Sequence, residues 1–264
     1  EKLRHNGDLK EIEQEVDPNL EIAQIHLDEY AKDGKALLYH KVKGTKYACS
    51  SNLFGTLERS TYIFGKALED MQRLVQLKTN PEQAFKKPFS LLTLLPSVLY
   101  ALPKKVKFPK ADFDEIQISD LPLIKHWPMD GGAFVTLPQV YTEDPDQPGV
   151  MNGNLGMYRV QLNGNQYVKD KEIGLHYQLH RGIGVHQTKW TDQGKPMKVS
   201  VFVGGHPAHS FAAVMPLPEG LSELSFAGVL ARRRFRYSIV DGYVISNDAD
   251  FVITGEVHPN EVKP

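Results

Sequence analysis

A single cysteine, Cys49, is all the sulfhydryl that 264 residues contain. That excludes an internal disulfide framework and suits a reducing compartment, so a cytoplasmic location is expected. Cys49 itself reads as a small buried hydrophobe. Excess charge of either sign is missing too: 31 Lys and Arg stand against 32 Asp and Glu, a formal net charge of −1. Nothing in that balance draws the chain toward nucleic acid or anionic lipid, so no nucleic-acid partner is expected and any anion site must be local. Long apolar runs are lacking as well. The most apolar stretch, LLTLLPSVLYALP at 91–103, is cut by Pro96 and Pro103 well short of the roughly 20 residues a membrane span needs. No transmembrane segment is expected there, only a packed helix or connector. The opening EKLRHNGDLKEIEQEV carries no apolar signal-peptide core, and the chain shows neither an internal repeat nor a low-complexity segment.

What is present has the balance of a globular protein, with 41% hydrophobic and 24% charged residues. LKEIEQEV alternates Lys10, Ile12, Gln14 and Val16 against Glu11, Glu13 and Glu15, the period of a half-buried strand. DPNLEIAQIHLDEY then predicts a helix with Asp17 as N-cap and Pro18 at its first position. KALLYHKVKG is a further strand. YACSSNLFGT leads by a glycine turn into one long predicted helix, capped by Thr56 and marked by Leu57, Tyr62, Leu68 and Leu74. Residues 79–128, rich in proline and lysine, read as a connector or arm. Later segments change character: GMYRVQL, IGLHYQLH, PMKVSVFVGG, RRFRYSIV, GYVIS and DFVITGEV are short strands between Gly, Asn and Asp turns, as in an antiparallel sheet or small barrel. Two helices interrupt them, HPAHSFAAVM with Pro207 near its start and SELSFAGVLARR with Ser222 as candidate cap. The expected organisation is therefore α+β, with an N-terminal α/β domain and connector over 1–115 and a second, strand-rich domain over 116–264.

Candidate chemistry gathers in the second half. In GLHYQLHRG the apolar Leu175, Tyr177 and Leu179 alternate with His176, Gln178 and His180, which predicts a strand. On a helix an H-x-x-x-H pair would reach one metal; on a strand, four residues at ~3.3 Å set the two imidazoles roughly 13 Å apart and give them different jobs. In MYRVQL, Tyr158, Val160 and Leu162 share one predicted face and Met157, Arg159 and Gln161 the other. Arg159 thus points away from the more apolar side, onto either solvent or a ligand cavity. His180 taken alone reads first as a hydrogen-bonded structural histidine, and Glu223 as first-turn helix support. Together, Asn154, His180 and Glu223 offer an amide oxygen, an imidazole nitrogen and a carboxylate, a mixed set suited to Mn2+ or Mg2+. Arg159, Arg181 and Gly182 could then meet an anionic group beside that ion.

Five ordered segments, SSNLFGTLER (50–59), NLGMYRVQL (154–162), GLHYQLHRGIG (174–184), VSVFVGGHPA (199–208) and MPLPEGLSELSFAGVL (215–230), resemble the hallmark segments of UbiD-like decarboxylases. Those enzymes use prenylated flavin mononucleotide (FMN) to remove or add CO2 on aromatic and α,β-unsaturated acids. The resemblance implies that the second domain is a flavin-reductase-like split β-barrel. It places the metal ligands on Asn154, His180 and Glu223, bridging Mn2+ (or Mg2+) to the flavin phosphate, with a monovalent cation such as K+ in the same expectation. Cofactor contacts fall on Met157, Tyr158, Arg159, His176, Gln178, Arg181 and Gly182, and Arg159 matches the catalytic arginine that polarises the substrate carboxylate. The implied partners are a small carboxylic acid substrate, a flavin prenyltransferase as cofactor source and further copies of the chain in a homo-oligomer. Two departures stand out: His206 occupies the place of the aspartate in the family's G-x-D-P-A turn, and the acidic E-G-P-[FY]-G-[DE] motif and C-terminal domain are expected beyond Pro264, as in a truncated or cleaved chain. A non-catalytic flavin- or phosphate-binding module or assembly subunit is the alternative, and an ordinary flavin reductase a third, disfavoured by the Asn, His and Glu set.

Overall fold

A computed structural model describes residues 1–79, 95–217 and 221–263. Its first sheet joins β1 (Leu9–Val16), β2 (Ala36–Val42) and β3 (Cys49–Ser51), with β1 and β2 parallel and β3 antiparallel to β2. Before β1 lies the short α1 (Lys2–His5). A parallel pair needs a crossover, and α2 (Glu21–Tyr30) supplies it. Ile12 and Val16 of β1 pack with Ile22, Leu37, Tyr39 and Val42 into a small core. Gln14, expected beside Ile12 and Val16, is exposed because a register shift between Ile12 and Glu15 breaks the alternation.

Two helix expectations are corrected. α2 is capped by Leu20, held at φ 73°, and not by Asp17. Asp17 instead accepts from the Asn19 N–H at 2.8 Å, closing an Asx turn that uses up its capping oxygen before the helix begins. The predicted long helix is two: Thr56 caps α3 (Leu57–Phe64) by accepting from Arg59 N–H at 3.1 Å, and Gly65, at φ 46°, breaks the path before α4 (Lys66–Thr79). The apolar run 91–103 is described from Leu95, where the short α5 (Leu95–Tyr100) begins; 91–94 lie outside the described residues, as do 80–90 of the predicted connector.

Farther along, β4 (Lys104–Lys105), β5 (Phe134–Val135), β6 (Gln139–Thr142), β7 (Asn154–Gly156), β8 (Arg159–Gln161) and β9 (Gly174–His176) precede α6 (Gly182–Asp192) and β10 (Met197–Val203). α7 (Pro207–Val214), α8 (Glu223–Ala231), β11 (Arg236–Val240), β12 (Tyr243–Ser246) and β13 (Phe251–Val257) complete the described chain. The strands fall into sheets ordered β13-β10-β6-β7, β12-β11-β4 and β5-β8-β9, and no closed barrel forms among the described residues. The fold is mixed α+β, as expected.

Pro207 opens α7 as predicted, and His206 caps it by accepting from Ala208 N–H at 3.2 Å. An imidazole nitrogen therefore takes the acceptor role an aspartate would have in that turn. α8 is apolar on every side, with Leu224–Leu230 all buried, so it sits inside the protein. Its Ser222 occupies the cap position, but its hydroxyl makes no cap hydrogen bond. Phe64, Ala67 and Met71 from the first helices share one core with Ala208, Ala212, Phe226, Ala227, Val229 and Leu230. That shared core fixes the first sheet and its helices against the elements that carry the site.

Candidate active site

Two expected strands are shorter than their alternation implied, and the difference shapes the site. GMYRVQL divides into β7 and β8, which lie in different sheets, with Met157 and Tyr158 between them. The break has a local cause: the Tyr158 ring folds back onto Gly156, where a Cβ would lie 2.5 Å from its atoms. Arg159 and Gln161 alternate with Val160 along β8 and so share a face as predicted, but Gln161 is buried while Arg159 is exposed. In GLHYQLHRG, β9 stops at His176, and Gln178, Leu179 and His180 lead into α6, whose N-cap is Arg181. The strand spacing argued for His176 and His180 therefore does not apply. His180 is exposed and makes no hydrogen bond among the described residues, so the structural reading of it as a hydrogen-bonded residue fails.

The turn at Tyr158 brings several predicted residues together. Asn154 Nδ2 donates to the Tyr158 hydroxyl at 3.3 Å, and that hydroxyl also accepts from Ile183 N–H at 3.4 Å, tying β7 to the first turn of α6. Gly182 permits this approach, because a Cβ there would lie 2.2 Å from Asn154 Oδ1. Beside them, Glu223 at the first position of α8 accepts from Leu155 N–H at 3.4 Å. Burial pushes the Glu223 carboxyl above its ordinary range, against the pull of its own N–H and that of Leu155. No cationic side chain among the described residues pairs with it. A half-buried carboxylate held by backbone N–H groups alone, near an amide oxygen, is a donor set that fits a divalent cation.

Arg159 stands on the other side of Tyr158. β8 pairs with β5 and β9, setting Arg159 opposite His176. The guanidinium lies 3.9 Å over the Phe134 ring, and Nη2 donates to Asp130 Oδ1 at 2.7 Å. Burial would raise the Asp130 carboxyl, but its hydrogen bonds from Arg159 and the Trp127 N–H, with the Arg159 charge, hold it below the ordinary range. Burial and the same guanidinium lower His176. Arg159 also lines a cavity of about 630 Å3 with Met157 and Tyr158. Its opposite wall comes from the first third of the chain, including α2, β3 and the turn 52–55. Arg59, almost fully buried, shapes that turn: it pairs with Asp8 through two nitrogens at 2.7 and 2.9 Å and donates to the carbonyls of Asn52 and Gly34. Cys49 is half-buried in the wall, its thiol pushed up to about 11 by burial, which leaves it unreactive at neutral pH.

The sequence reading missed Asp130, His26 and His126. Asp130 has only a turn signal, Asp-Gly-Gly, and nothing nearby in sequence marks it as the partner of Arg159.

A largely apolar cavity with a few convergent polar groups is the usual form of a small-ligand site. The chain belongs to the UbiD family: residues 102–264 match the 3-octaprenyl-4-hydroxybenzoate carboxy-lyase Rift-related domain, and residues 1–78 match the N-terminal domain of the same carboxy-lyase. It is 34% identical over 267 residues to a 4-hydroxybenzoate decarboxylase subunit from Chlamydia pneumoniae, covering 99% of this chain and 44% of that protein. An uncharacterized Chlamydia trachomatis protein is 35% identical over 271 residues, with 99% and 45% covered. Among solved structures, the UbiD-class enzyme HmfF from Pelotomaculum thermopropionicum in complex with FMN gives a TM-score of 0.78 at 24% identity over 100% of this chain and 55% of that one. Vanillic acid decarboxylase from Sedimentibacter hydroxybenzoicus, in its closed form, gives 0.79 at 21% identity over 98% and 54%. These two likenesses concern the fold. The chain spans about half the length of the relatives it matches. Among the described residues no helix is long and apolar enough to cross a membrane.

Proposed function

We propose that this chain is the cofactor-binding part of a UbiD-type carboxy-lyase that removes CO2 from, or adds it to, an aromatic or α,β-unsaturated acid. The observation that carries the proposal is Arg159, a guanidinium held over Phe134 at the edge of a largely apolar cavity. There it offers two-pronged recognition to a carboxylate, with Asp130 orienting it from behind. Proteins of similar fold support the chemistry: HmfF structures contain FMN or prenylated FMN, and others are dihydroxybenzoic or vanillic acid decarboxylases.

In this reading prenylated FMN supplies the electron sink that the departing CO2 requires. Met157, Tyr158 and Arg159, with His176, Gln178, Arg181 and Gly182, would hold that cofactor. Asn154, His180 and Glu223 would hold a divalent cation such as Mn2+, which would neutralise charge beside the cofactor. The donor types of Asn154 and Glu223 fit such an ion, and His180, exposed at the turn before Gly182, would be the third donor. Arg159 binds the substrate carboxylate and orients it, and the apolar walls exclude water. The strands of 116–264 correspond to the split barrel, and 1–115 to the preceding domain. The test is reconstitution of protein containing this chain with prenylated FMN and Mn2+, followed by CO2 release from a panel of aromatic and cinnamate-like acids. Absence of flavin and metal binding, or release that persists undiminished in Arg159→Gln, rejects the reading.

A further inference from the structure

The cavity has a second polar end. His26, on α2, lines it with one face of its ring stacked on Tyr30, centroids 6.2 Å apart and planes within 10°. Its Nδ1 is buried and has no hydrogen-bond partner among the described residues. His126 lines the same cavity, close enough for its ionisation to respond to Asp130, Arg159 and His26. Between these imidazoles and Arg159 the walls are largely apolar, with Ile22, Leu27, Tyr30, Trp127, Phe134 and Leu137. Two further polar groups of the wall are engaged: the Tyr39 hydroxyl reaches Ile22 O and Ser51, and Asn52 Nδ2 donates to the Gly34 and Lys35 carbonyls.

We propose that His26, held by Tyr30 and seconded by His126, is a specificity-determining residue that hydrogen-bonds a hydroxyl on the ring of an aromatic acid whose carboxylate pairs with Arg159. The inference rests on the reading of this cavity as the acid-binding site. Burial lowers both histidines, and at His126 Asp130 opposes the effect while Arg159 adds to it, so the neutral imidazole is favoured in both. A neutral imidazole accepts from a phenolic O–H or donates to its oxygen. A second carboxylate would look for a cation there and find none, so the cavity discriminates for hydroxy acids and against dicarboxylic ones.

The experiment compares dissociation constants of 4-hydroxybenzoate, benzoate and terephthalate by ligand-observed NMR, using protein that contains this chain in the presence of FMN. Wild type is expected to rank 4-hydroxybenzoate first. His26→Phe keeps the stack on Tyr30 and removes both nitrogens; it should reduce the 4-hydroxybenzoate-to-benzoate preference on the order of tenfold, the worth of one neutral hydrogen bond. His26→Asn, which restores a polar head, should recover part of that preference, and thermal unfolding of each variant checks its fold. An unchanged preference in both variants, or terephthalate ranking first in wild type, overturns the inference while leaving the site intact. If Arg159→Gln fails to weaken binding of any of the three acids, the reading of the site falls with it.

Discussion

Replacing Gly182 by Ala should separate the fold from the site. A Cβ at that position would lie 2.2 Å from Asn154 Oδ1 and 2.9 Å from its Cγ, about 1 Å inside ordinary contact. The obstructing group is the end of a short side chain, so it yields by rotating rather than by moving backbone. Rotation gives up the 3.3 Å bond from Asn154 Nδ2 to the Tyr158 hydroxyl, a loss of about 1 kcal/mol. Alanine in the first turn of α6 restricts the unfolded chain by about 0.4–1 kcal/mol in the opposite sense. The two nearly cancel, and the melting temperature should move by no more than ~4 °C. The amide oxygen, however, is displaced by more than the ~0.5 Å that a ligand constellation tolerates, so Mn2+ and FMN retention should fall at least about tenfold. Metal analysis and flavin absorbance after desalting, alongside a thermal melt, read both effects. A folded Gly182→Ala protein that keeps wild-type metal and flavin would refute the assignment of Asn154 as a ligand.

Glu223→Gln should likewise release metal and flavin. In the metal-free protein the buried Glu223 carboxyl lies above its unfolded value, so its contribution to stability is present at low pH and is lost as pH rises through the folded value; the Gln variant should lack that loss in urea titrations. Asp130 is shifted the opposite way. Its contribution holds above the ordinary carboxylate range and disappears as pH falls below it, so Asp130→Asn should flatten the acid limb of stability while also altering acid affinity through Arg159. Arg59→Leu leaves Asp8 and two buried carbonyls without their donor, which should cost roughly 3–5 kcal/mol and about 10 °C in a thermal melt. An unchanged melting point would show that Arg59 does not support the turn 52–55.

Much of the architecture was legible where one residue controls one local bond. Thr56 and Pro207 mark their helices because an N-cap oxygen and a ring-fixed φ act within a single turn. Alternation failed where tertiary contacts decide instead: the Tyr158 ring closes over Gly156 at the end of β7, and β9 ends at His176, from which 177–181 lead into α6 at Gly182. Of the residues singled out in the sequence, Met157, Tyr158 and Arg159 line the cavity, but its far wall was not legible. His26 and Cys49 reach Arg159 only after the whole sheet β1-β2-β3 docks, and their spacing along the chain, more than a hundred residues away by rough count, carries no periodic signal.

The core shared by Phe64, Ala67 and Met71 with Ala208, Phe226 and Leu230 has a consequence for synthesis on the ribosome. The first three emerge early, and their partners follow roughly 140 residues later, an interval of about ten to thirty seconds at ordinary elongation rates. During that interval a sticky helical face waits without its cover, and loop closure over that span is slow compared with local helix formation. Nascent chains stalled between residues 80 and 200 should therefore engage holdase chaperones, and release from them should coincide with the appearance of α8 outside the exit tunnel.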